Sequence, residues 1–144
     1  MMRFLSLILM MSLFLSADTE FAKPLPSIDN PRKIVFSIKS ADKEAINHLL
    51  SSANNVLKFY GPEKVHMEIV AYYHGIEAVL KKNKEIASRV DALMQYDVEF
   101  IACGNTMRTK NIKPDELIDG VEIVTAGIVE VTERVQEGWV YIVP

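Results

Sequence analysis

Cys103 is the single cysteine among 144 residues, and it closes an apolar run, Val98 to Cys103 (VEFIAC), that reads as a strand. Gly104, Asn105 and Thr106 follow it. Glycine allows a close backbone approach, and Asn105 or Thr106 is expected to cap the next turn, so that free backbone N–H groups face the sulfur. Arg108 and Lys110 come shortly afterwards. Partial positive charge of this kind favours thiolate over thiol, and the thiolate is the form that attacks a sulfane sulfur or a disulfide. His74, at the end of another predicted strand, is the candidate base or cation to assist it. The site read from the residues is thus Cys103 as nucleophile, with His74, Gly104, Asn105, Thr106 and Arg108 as helpers. Without a CxxC partner, a dithiol cycle within one chain is excluded.

Other chemistries lack their residues. No HxxxH, and no CxxC followed by His, signals a metal; no GxGxxG or GxxxxGK segment exists to cradle a nucleotide phosphate, and no GxSxG elbow marks a hydrolase. No cofactor is expected. His48 and His66 read as surface or edge residues, Tyr72-Tyr73 as a packing element, and Glu130, Glu133 and Glu137 as one solvated helical face. With a net charge of −3 and few, scattered aromatics, the chain offers no basic stripe for nucleic acid.

The elements that position the thiol alternate. Strands are predicted at 33–39, 66–72, 98–103, 121–124 and 139–143. After the first, Ser40 or Asp42 caps a helix whose apolar stripe runs from Ala45 through Leu49, Ala53 and Val56 to Tyr60, ending at Gly61-Pro62. Residues 76–96 hold one or two helices with Ile86, Val90, Leu93 and Met94 on one face. Pro114 starts a short helix at 114–118, and 127–136 forms another with Ile128, Val131 and Val135 inward. Near-continuous apolar strands alternating with helices indicate burial on both sheet faces. The expected fold is α/β, a three-layer α/β/α sandwich with a mostly parallel sheet of about five strands.

Ahead of this domain, Met1-Met2-Arg3, an apolar stretch from Phe4 to Leu15, and Ser16-Ala17 follow the order of a secretory signal. The apolar run is about a dozen residues, short of the roughly 20 a spanning helix needs. The expectation is a signal peptide over 1–17 with cleavage after Ala17, an N-terminal arm over 18–32 with three prolines, and one domain over 33–144. An exported, periplasmic protein with no membrane insertion after signal removal follows, and its unpaired thiol must persist in an oxidising compartment.

The strand KIVFSIK with its long following helix, the segments VHMEIVAYYHGIEAVL and VEFIACGNTM, and the tail VEIVTAGIVEVTERVQEGWVYIVP together resemble the DsrE/DsrF-like family of sulfur-metabolism proteins, in its small exported branch. The resemblance covers residues 33–144. It implies an α/β/α sandwich assembled into trimers or hexamers, and a cysteine that carries a persulfide and exchanges sulfur with a donor or acceptor protein or a small sulfur species. Cys103 matches the family's cysteine, which makes the chain a candidate sulfurtransferase. Two other readings stand beside it: a non-catalytic oligomeric binding module whose cysteine packs, and a redox-sensing thiol protein.

Overall fold

The computed structural model describes residues 18–144; the signal predicted over 1–17 lies outside the described residues. Residues 18–31 form no helix or strand. The arm touches the domain where Arg32 donates to the Ala22 carbonyl at 2.6 Å and where Phe21 lies 5.5 Å from the Phe59 ring.

The first strand, β1, spans Arg32–Ile38, and α1 spans Lys43–Tyr60. Asp42, not Ser40, is the cap, its carboxylate accepting from the Ala45 N–H at 2.9 Å. Ile46, Leu49, Leu50, Ala53 and Leu57 bury one face of α1, the spacing expected when a 3.6-residue repeat meets a sheet. Gly61 stops the helix at φ +83°, and its N–H returns to the Leu57 carbonyl, a backbone shape that costs glycine little.

Then come β2 (Val65–Ala71), a 3-10 segment Tyr73–Val79, α2 (Lys84–Met94), β3 (Glu99–Cys103) and α3 (Gly104–Lys110). A 3-10 turn at Pro114–Glu116 leads to β4 (Glu122–Val124), α4 (Gly127–Gln136) and β5 (Val140–Ile142). The predicted strands are all present, with ends moved by one residue or less. The stretch expected to hold one or two helices divides into the 3-10 segment and α2.

All five strands are parallel, in the order β4-β3-β2-β1-β5. That order dictates the layers. Each step β1→β2→β3→β4 moves the same way across the sheet, so right-handed crossovers put α1, α2 and α3 on one face; the return from β4 to β5 puts α4 on the other. The first face carries the main core, including Phe36, Leu50, Ile69, Ile76, Val90 and Phe100. The second is thin: Val35, Val70, Ile101 and Val131 form its apolar cluster, with Tyr72, Val124 and Trp139 packed around them.

One expectation about α4 is corrected. Val131 faces inward, but Ile128 is 58% exposed and Val135 41%. The helix buries only Gly127 and Val131, because it lies on a sheet face that offers a narrow apolar strip. Among the described residues, no helix is long and apolar enough to cross a membrane.

Candidate functional site

In an open parallel sheet, a crevice forms at the carboxyl end where neighbouring strands send their connections to opposite faces. Here that point lies between β3 and β4: α3 leaves β3 toward the main core, and α4 leaves β4 toward the thin face. Cys103 is the last residue of β3, in register with Val124 of β4. The topology therefore brings the first N–H groups of two helices to one sulfur.

Cys103 is buried, 6% exposed, and unpaired. Burial pushes its thiol up, but hydrogen bonds from the Thr106 hydroxyl and from the backbone N–H groups of Gly127, Thr106 and Asn105 more than offset this, leaving it below the ordinary 9.0. The Asn105 N–H is shared, since it also donates to the Thr125 carbonyl at 3.0 Å. Thr106 and Gly127 are the donors with fewest competing partners.

Gly127 sits where a side chain has little room. A Cβ there would lie 3.1 Å from Val70 Cγ1, 3.2 Å from Cys103 Cβ and 3.3 Å from Tyr72 Cβ. Its bare backbone lets α4 begin against the cysteine.

The turn after β2 completes the surroundings. Tyr73 has φ +54°, a conformation unusual for a bulky side chain, and its N–H donates to Thr106 Oγ1 at 2.9 Å. With that oxygen occupied by a donor, the hydroxyl proton is free to turn toward the sulfur. Gly75 anchors the turn: a Cβ on it would lie 2.0 Å from the Ile38 carbonyl oxygen. A cavity of about 250 Å³ lined by Tyr73, Asn105, Thr106, Thr109 and Lys110 opens beside this turn.

The sequence-predicted residues divide into two groups. Asn105 and Thr106 gather at the sulfur, and Gly104 starts α3 there; a Cβ on Gly104 would come 2.9 Å from the Val124 carbonyl oxygen. Neither Asn105 nor Thr106 is the cap of α3, however, because Cys103 itself occupies that position. His74 and Arg108 face elsewhere. The His74 ring lies tilted against Tyr73 with centroids 3.9 Å apart, and its Nδ1 is 3.1 Å from Lys110 Nζ. Arg108 donates to Asn105 Oδ1 at 2.7 Å. The thiol is thus lowered by neutral donors, not by the neighbouring cations.

Sequence reasoning missed Gly127 and the Tyr73 amide, which come from elements distant in the chain. It also missed Glu68, a carboxylate inside β2 that is 3% exposed. A lone acid within HMEIVAY was the available signal. Among the described residues, no group of three or more His, Cys, Asp or Glu side chains is placed to hold a metal ion.

The DsrE/DsrF-like family matches residues 32–144. Among solved structures, the chain is similar to the protein of unknown function MTH1491 from Methanobacterium thermoautotrophicum, with TM-score 0.74 and 32% identity, over 78% of this chain and 99% of that one. The ychN protein from E. coli aligns with TM-score 0.63 and 19% identity, covering 80% and 99% of the two chains. Protein BT1422 of unknown function from Bacteroides thetaiotaomicron aligns with TM-score 0.63 and 16% identity, covering 78% and 94%. No curated protein matches. On the family match and the 32% identical structure, the chain belongs to the DsrE/DsrF-like family.

Proposed function

We propose that this protein is a sulfur-relay protein that carries sulfane sulfur on Cys103. The observation that carries the reading is the ring of donors around the buried sulfur, which holds the thiol below its ordinary 9.0 despite burial. The chemistry balances without an added oxidant. The Cys103 thiolate attacks the terminal sulfur of a donor persulfide; the new S–S bond forms as the donor's S–S bond breaks, and the donor leaves as a thiolate. An acceptor thiolate then takes the terminal sulfur, and Cys103 leaves as thiolate. The family's general link to sulfur relay supports this reading.

The test is to incubate the protein with a small-molecule persulfide and measure intact mass. One added sulfur atom is expected on the wild type and none on Cys103→Ser; a wild type that gains no sulfur while folded overturns the proposal. The burial of Cys103, 6% exposed, favours a second reading, a non-catalytic binding module in which the cysteine packs. That reading predicts labelling by a thiol reagent only after unfolding. The proposal includes export, which cell fractionation and N-terminal sequencing check, and assembly of several copies, which the mass in solution checks.

A further inference from the structure

A sulfur relay needs a reachable thiol, yet the start of α4 seats directly on Cys103. What holds α4 down is slight: Gly127 and Val131 are its buried residues. The helix packs on β2, where its Glu130 and Arg134 act on Glu68, whose Oε1 has no hydrogen-bond partner. An unpartnered carboxylate that is 3% exposed is costly when ionised and far less so when neutral.

The groups around Glu68 sharpen that difference. In its own row of the sheet it has Val35 of β1 on one side and Glu99 of β3 on the other, with Tyr141 of β5 beyond Val35. One step toward the carboxyl ends lie Ser37, Val70, Ile101 and Glu122 of β4; one step the other way lie Lys33 and His66. From α4 come Glu130 and Arg134. The arginine's Nη1 is 3.0 Å from Glu137, and its Nε lies 3.1 Å from Glu130 without hydrogen-bond alignment. The charges that bear on the buried acid are thus three carboxylates and one already engaged guanidinium.

We propose that Glu68 is a proton-operated latch for α4: neutral, it lets the helix seat over Cys103, and ionised, it lifts the helix and opens the thiol. The proposal rests on the sulfur-relay reading only in taking Cys103 as the working thiol. Burial, and then the charges of Glu130, Glu99 and Glu122, push this carboxyl up to about 7 from 4.5 against the opposing pull of Arg134. The latch therefore turns over near neutrality. Lifting α4 also withdraws the Gly127 N–H from the sulfur, so access and thiol acidity change together.

The experiment is hydrogen exchange of the full chain at pH 6 and pH 8, corrected for intrinsic rates, with Cys103 alkylation corrected for thiolate fraction measured in parallel. In the wild type, exchange in α4 is expected to be roughly tenfold faster at pH 8 and at both values faster than in α1, and alkylation follows α4. Glu68→Gln is expected to hold the pH 6 behaviour at both values. Equal protection of α4 at the two pH values in the wild type, or an unaltered pH response in Glu68→Gln, overturns the latch. If Glu68→Gln does not fold, Glu130→Gln supplies the second arm, and an undiminished response there overturns it equally. No sulfur donor enters the measurement, so the latch can stand where sulfur loading fails, and the reverse.

Discussion

The two faces of the sheet are built to different standards. One is sealed by α1, α2, α3 and the 3-10 segment over a continuous apolar core; the other is crossed, among the described residues, by α4 alone, whose Val131 meets three buried apolar residues of the sheet, Val35, Val70 and Ile101. Both follow from strand order, since three crossovers in one direction crowd one face and leave a single helix for the other. The crowded face supplies stability. The sparse face holds both Cys103 and Glu68, two buried acids with opposite shifts: the thiol is lowered by donors, and the carboxyl, lacking them, is raised. Burial raises both; donors outweigh it at the thiol, whereas neighbouring carboxylates add to it at the acid.

Leu50→Ala, at a fully buried site of the crowded face, is expected to cost about 3–5 kcal/mol in denaturant melts, with alkylation of native Cys103 unchanged. A loss below 1 kcal/mol contradicts the claim that this face carries the stability.

Glu68 comes next. A carboxyl raised in the folded state from 4.5 to about 7 stabilises the fold fully below pH 4.5; that contribution is lost as pH rises through 7 and does not change further above it. Across this window the wild type is expected to lose at most about 3–4 kcal/mol, from ~1.4 kcal/mol per pH unit. Glu68→Gln should flatten the profile, which melts at several pH values will reveal; stability that instead rises from pH 5 to 7 rules out a raised carboxyl.

The smallest effect belongs to Val131→Ala. It removes the side chain that seats α4, at about 1–2 kcal/mol, yet alkylation of Cys103 should quicken several-fold. Slower or unchanged alkylation breaks the assignment of α4 as the cover.

Much of the crowded face was legible in the sequence. Asp42, the α1 stripe and Gly61 act within one turn of the chain, and a 3.6-residue pattern facing a broad apolar sheet behaves as periodicity says. The end of β3 was legible too, so Cys103 was placed correctly along the chain. The thin face was not. Ile128 and Val135 fit an inward stripe by spacing, but the strip beneath α4 is too narrow to bury them. Arg108 and Lys110 are near Cys103 in sequence, which suggested cationic help, whereas the donors that act include Gly127, delivered by the return crossover. A register that sets Glu68 beside Glu99, with Glu130 arriving from α4, depends on strand order, and no local pattern encodes it.

The return crossover also gives the protein an optical handle. Trp139, the chain's single tryptophan, lies just past α4 at the end away from Cys103, with the Arg134 guanidinium 5.8 Å from its ring centroid. Indole emission responds to a nearby charge and to water, so any tilt of that helix carries an intrinsic fluorescence signal. The movement of a ten-residue segment can then be followed in real time, without attaching a dye to the one thiol the chemistry needs.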